Sequence, residues 1–162
     1  MSTTMKLYFL RHGLAGDRET WVGDDFDRPL TEAGKERMAR EAATLAKLKL
    51  NLDVILTSPL VRAYQTAEIV AQWLNMTDRL VKDERLGPGF SPDQLAGILQ
   101  AYPEAKALML VGHEPDFSQL IGKLIGGGRI MCKKGSLACV ELNDKSLQGE
   151  LVWLIPPSVL AL

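Results

Sequence analysis

The chain holds two histidines, His12 and His113, and each follows directly on a run of apolar residues. His12 comes after Leu7-Tyr8-Phe9-Leu10 through Arg11, and His113 comes after Ala107-Leu108-Met109-Leu110-Val111 through Gly112. Between them, Asp53-Val54-Ile55-Leu56-Thr57 runs into Ser58-Pro59 and then into a segment carrying Arg62. Two guanidinium groups and two imidazoles suit a dianionic phosphoryl group. Arginine offers a planar fork matched to phosphate oxygens and keeps its charge at any relevant pH. A neutral imidazole can act as a nucleophile on phosphorus. Gly13, directly after His12, leaves room for close approach to the backbone.

These side chains act together only if the fold delivers them to one place. The apolar runs read as short strands at Leu7 to Leu10, Asp53 to Thr57, Arg79 to Lys82 and Ala107 to Val111. A closing pair is expected at Leu137 to Leu142 and Glu150 to Ile155, with Asn143-Asp144-Lys145 at or near the turn. Between them lie amphipathic segments. Thr31 to Leu48 reads as a helix capped by Thr31. Ser58 to about Leu74 reads as another, with Ser58 as N-cap and Pro59 at the first helical position. Ser91-Pro92 repeats that signal before a helix to Tyr102, and Pro115 to Ile125 is a fourth, ended by Gly126-Gly127-Gly128. Strands alternating with helices predict an α/β fold. We expect a three-layer α/β/α sandwich around a mostly parallel sheet. In such sheets ligands bind beyond the carboxyl ends of the strands. That edge would receive Arg11, His12, Arg62 and His113.

Composition narrows the function classes. A length of 162 residues suits one domain, here residues 1–162. A net charge of −1 and a pI near 6.1 leave no electrostatic footprint for nucleic acid or an anionic membrane. No apolar run approaches a membrane span, and Met1 to Lys6 shows no signal peptide, so a cytoplasmic protein is expected. Cys132 and Cys139 form no C-x-x-C pair and read as small core residues. Lys133-Lys134 reads as a solvated loop. Gly126-Gly127-Gly128-Arg129 lacks the ending of a phosphate-binding P-loop.

Four segments in order carry a family resemblance: Leu10-Arg11-His12-Gly13; Arg28-Pro29-Leu30-Thr31 with Gly34; Thr57-Ser58-Pro59 with Arg62, Ala63 and Thr66-Ala67; and Val111-Gly112-His113. The set resembles the histidine phosphatase superfamily, which includes the cofactor-dependent phosphoglycerate mutases, and implies a phosphoglycerate mutase-like fold. The short chain and the early Pro-Leu-Thr look like the SixA-type phosphohistidine phosphatases. By that resemblance His12 is the nucleophile, and Arg11, Gly13, Arg62 and His113 bind the phosphoryl oxygens. The resemblance implies neither metal nor cofactor. The implied partner is a phosphohistidine-bearing phosphotransfer protein.

One departure bears on substrate. Many superfamily members carry a glutamate that protonates the leaving oxygen, and Pro88 stands at its expected place. Glu84 and Asp17 are the candidate acids, with Glu114 and Asp116 behind them. An alkoxide needs a proton as it leaves. A phosphorylated imidazole leaves more easily once its ring is protonated, and its transfer to His12 exchanges one P–N bond for another. A missing acid therefore favours a phosphohistidine substrate. The candidate covers, Leu14 to Arg28 and Gly87 to Ser91, are short, so an open site is expected. Two other readings stay open. One is a small-molecule phosphomonoesterase of the same superfamily, and the other is a non-catalytic phosphate-binding module.

Overall fold

The computed structural model describes residues 4–144 and 146–162. Met1, Ser2 and Thr3, and Lys145 of the expected turn, lie outside the described residues. Six strands form one sheet: β1 (Thr4–Arg11), β2 (Val54–Thr57), β3 (Leu80–Lys82), β4 (Ala107–Gly112), β5 (Leu137–Asn143) and β6 (Gly149–Ile155). Their order is β3-β2-β4-β1-β5-β6. The pairs β3–β2, β2–β4 and β4–β1 are parallel, while β5 runs antiparallel to both β1 and β6. The sheet is thus mixed but mostly parallel, as its apolar strands predict. The helices are α1 (Glu32–Leu48), α2 (Val61–Trp73), α3 (Pro92–Ala101), α4 (Asp116–Leu124) and the short α5 (Pro157–Leu160).

Successive strand residues point to opposite faces, and the core divides accordingly. Leu7 and Phe9 of β1, with Leu108 and Leu110 of β4, pack with Leu95 and Ile98 of α3 and Phe117 and Leu120 of α4. Tyr8 and Leu10, with Met109 and Val111, pack with Met38 and Leu45 of α1 and Ala63 and Val70 of α2. Both faces are therefore covered, giving the expected three layers. Phe9 meets Phe117 edge to face at 5.2 Å, a favourable aromatic geometry.

Helix starts show where local signals hold and where they yield. Thr31 caps α1 by accepting from the Gly34 N–H, and Ser91 and Gln94 form a capping box on α3. Gly34 is fixed by packing, since a Cβ there would lie 2.2 Å from the Leu14 carbonyl oxygen. The expected start of α2 is corrected. The helix begins at Val61, Leu60 is its cap residue, and no side chain caps it. Ser58 Oγ instead lies 2.7 Å from His113 Nε2 while accepting from the Leu60 N–H. The tertiary contact wins the hydroxyl from the helix. As a result Arg62 is the second residue of α2, close to its unpaired N–H groups.

Candidate active site

The parallel register of β1 and β4 pairs Arg11 with Gly112. The next residue on each strand is a histidine, so His12 and His113 sit side by side with ring centroids 5.3 Å apart. His12 N–H donates to the Gly112 carbonyl (3.1 Å), extending the ladder past the strand end. On the other side of β4, Ser58 N–H donates to the Val111 carbonyl (2.9 Å), which brings the β2 exit and α2 to the same edge. Arg11, His12, Arg62 and His113 all line one open cleft of about 1060 Å³. His12, Arg62 and His113 are buried.

His12 has a defined tautomer. Its Nδ1 lies 2.8 Å from the Gly13 carbonyl, which can only accept, so Nδ1 carries the hydrogen and Nε2 the lone pair. Burial, together with His113, Arg62 and Arg11, pushes the His12 pKa down to about 3. Burial first, then the charge of Arg62, pushes His113 down to about 4. Both rings are neutral near pH 7. Gly13 follows His12. Its N–H donates to Thr66 Oγ1 (3.0 Å), and a Cβ on it would lie 3.2 Å from Met38 Cε. The structure therefore shows Gly13 packing against α1 and α2, with its N–H committed to Thr66.

The cations are held at one end and open at the other. Arg11 Nη1 donates to the Cys132 carbonyl (2.9 Å). Arg62 Nη1 donates to the Asp25 carbonyl (2.9 Å), and its Nη2 pairs with Asp25 Oδ2 (3.1 Å). The Nε atoms of Arg11 and Arg62 are buried with no hydrogen-bond partner among the described residues. Burial lowers the pKa of both guanidiniums, but arginine keeps its charge. Two buried unpaired N–H donors beside two neutral imidazoles form an arrangement able to receive a tetrahedral oxyanion.

Several residues of the cleft escape the sequence reading. Asp25 holds two arginines at once, Arg62 through Oδ2 and Arg28 through Oδ1 (2.9 Å). The hydrogen bond from Arg28 holds the Asp25 carboxyl below its usual range, and Arg62 adds to that. Asp25 opens a short 3₁₀ turn among exposed residues, so no periodic pattern marks it. Ser58 reads in the sequence as a helix cap, whereas its hydroxyl lies against His113. Lys134 is exposed, as expected, and also lines the cleft, as does Trp21.

The expected acids are placed as follows. Pro88 lines the cleft, and Asp17 lines it from an exposed loop with Oδ1 accepting from the Glu19 N–H (2.9 Å). Glu84 is exposed, opens the short 3₁₀ turn Glu84–Leu86, and is not among the residues of the cleft. Asp116 accepts from the Gly89 N–H (2.8 Å), tying the turn after Leu86 to the start of α4. Glu114 lines the cleft, and its carboxylate accepts from the Ser118 N–H (2.8 Å) and hydroxyl. Among the described residues, no group of three or more histidine, cysteine or carboxylate side chains gathers as a metal site. No helix there is long and apolar enough to cross a membrane.

Comparison with known proteins places the chain in a family. Residues 7–87, half of the chain, match the model of the histidine phosphatase superfamily, branch 1. The chain is 42% identical over 122 residues to an uncharacterized protein of Picosynechococcus, spanning 71% of this chain and 70% of that one. It is 29% identical over 160 residues to the phosphohistidine phosphatase SixA of Escherichia coli, spanning 94% of each. The solved structure of the protein histidine phosphatase SixA complexed with tungstate superposes with a TM-score of 0.86 at 28% identity, covering 96% of this chain and 99% of that one. A phosphoglycerate mutase from Bacillus anthracis shares the fold, with a TM-score of 0.72 at 16% identity. The chain belongs to the histidine phosphatase superfamily and is a phosphatase.

Proposed function

We propose that the chain is a phosphohistidine phosphatase, acting in the cytoplasm on the phosphorylated histidine of a phosphotransfer protein through a covalent phosphohistidine on His12. The observation that carries the mechanism is the His12 ring: buried, neutral, tied at Nδ1 by the Gly13 carbonyl, with Nε2 left as the lone pair. In this reading Nε2 attacks phosphorus. Arg11, Arg62 and His113 meet the charge on the equatorial oxygens, a case of positioning and preorganised electrostatics. Water then hydrolyses the phosphoenzyme. The route uses no metal or organic cofactor.

The substrate class follows from what the leaving group meets. Pro88 contributes no proton, Asp17 is exposed and Glu84 lies outside the cleft. A phosphoryl group on imidazole needs less help in leaving than one on an alkoxide. The open cleft suits a histidine presented on a protein surface, and the named relative supports the same class. The alternative, a small-molecule phosphomonoesterase, draws on Asp17 at the cleft wall.

The test is a panel of a phosphohistidine phosphotransfer domain, a sugar phosphate and an aryl phosphate, run with the native chain and with His12→Ala. The domain should be dephosphorylated fastest, and His12→Ala should abolish every activity. Turnover surviving His12→Ala would overturn the nucleophile. Faster hydrolysis of the sugar phosphate would favour the alternative.

A further inference from the structure

Among the described residues, Glu114 is the one acid in the cleft wall that is both adjacent in sequence to a site histidine and immobilised. It follows His113 directly and lines the same cleft as His12 and Pro88. Its two oxygens each accept one hydrogen bond from Ser118, from the backbone N–H and from the hydroxyl. The Ser118 hydroxyl is itself fixed, since it accepts from the Cys132 N–H (3.1 Å). The Cys132 carbonyl in turn receives Arg11 Nη1 (2.9 Å). A carboxylate oxygen has two lone pairs, so each Glu114 oxygen retains acceptor capacity after its Ser118 bond. With both oxygens already taking donors, the group is arranged as a fixed acceptor. The turn carrying Pro88 is tied to the same wall by the bond from Gly89 to Asp116.

We propose that Glu114 determines specificity, its carboxylate accepting the ring N–H of a departing imidazole and disfavouring leaving groups that carry negative charge. The inference rests on the reading of phosphohistidine as the substrate. In the step, the His12 Nε2 lone pair forms a new N–P bond while the substrate P–N bond breaks. The electron pair of the broken bond returns to the substrate nitrogen. The substrate ring enters protonated on its other nitrogen and departs as neutral imidazole, keeping that hydrogen. His12 becomes a phosphoimidazolium with its Nδ1–H still donated to Gly13. Water next forms an O–P bond, the N–P pair returns to Nε2, and the water protons remain on phosphate. Glu114 gains no proton in either step. It favours the protonated, better-leaving form of the substrate ring through a charge-assisted hydrogen bond. An alkoxide or a carboxylate-bearing leaving group would meet a like charge instead.

The test compares the full chain with Glu114→Gln on three probes: phosphoimidazole, an aryl phosphate and phosphoglycolate. For phosphoimidazole, kcat/KM should fall by ~10-fold to 100-fold, the worth of a hydrogen bond to a charged group. Aryl phosphate turnover, whose departing aryl oxide carries negative charge, should hold or rise rather than fall, which also shows that the variant is folded. Phosphoglycolate turnover should rise. Ser118→Ala, which frees the carboxylate, should give a smaller loss confined to phosphoimidazole. Equal losses on phosphoimidazole and aryl phosphate, or no loss on phosphoimidazole, would overturn the role of Glu114. A native chain that prefers aryl phosphate to phosphoimidazole would overturn the underlying substrate reading before any variant is compared.

Discussion

Ser58 Oγ lies 2.7 Å from His113 Nε2, and both groups are buried. The contact engages one ring nitrogen of His113. Ser58→Ala should lower kcat/KM about fivefold, the cost of a buried hydrogen bond of about 1 kcal/mol. Ser58→Thr should restore most of the loss. Steady-state kinetics check this, and unchanged kinetics in Ser58→Ala would rule out a positioning role for the hydroxyl.

The bridging position of Asp25 between Arg28 and Arg62 makes a separate prediction. Asp25→Asn removes the negative charge that offsets two arginines and loosens the hold on Arg62. Tungstate, as a phosphate mimic, should inhibit at a severalfold lower concentration, while kcat falls ~10-fold as Arg62 loses its orientation. Weaker inhibition with unchanged kcat would show that Asp25 plays neither part.

Acid should weaken the fold through the two histidines. Their folded pKa values, about 3 for His12 and about 4 for His113, lie below the ordinary value near 6.5. As pH falls below about 6.5, the unfolded chain takes up protons that the native state refuses. Stability present above that pH is then lost down to about pH 3 to 4. Urea midpoints measured from pH 7 to 4 should decline, and less steeply in His12→Gln. The ionisation of His12 should likewise not limit activity until well below pH 6.

Glu41 predicts the opposite slope. It is buried in α1, neither carboxyl oxygen has a hydrogen-bond partner among the described residues, Arg37 Nε approaches only to 3.9 Å, and burial raises its pKa to about 8. Above the ordinary carboxylate value the unfolded chain releases a proton that native Glu41 keeps, so stability falls as pH rises toward 8. Glu41→Met should remove this slope and raise stability at pH 8 by on the order of 2 kcal/mol, seen as a higher thermal midpoint. A lower midpoint at pH 8 would mean that the carboxyl has a structural use there.

The strand ends of the site were legible because burial on both faces leaves a plain signature. Runs such as Ala107 to Val111 must be apolar, so a histidine at the end of one stands out. The start of α2 misled because Ser58-Pro59 satisfies a local capping rule, while the hydroxyl is drawn to a residue 55 positions away. Asp25 was invisible for another reason. It lies in a short 3₁₀ turn, Asp25–Asp27, whose neighbours are polar and exposed, and pairing with Arg62 across 37 positions has no periodic trace. Glu84 looked eligible because it lies near Pro88, the expected place of the acid, yet the turn Glu84–Leu86 leaves it exposed and outside the cleft.

The pairing of Arg11 with Gly112 lies in the middle of the sheet, between β4 and β1, where neither strand is an edge. Central strands open only with the whole molecule, whereas loops and edges open alone. The two histidines are therefore brought together by the most protected part of the chain. Loss of activity in denaturant should track loss of the folded core in a single transition, so residual turnover becomes a direct gauge of how much of the population is still folded.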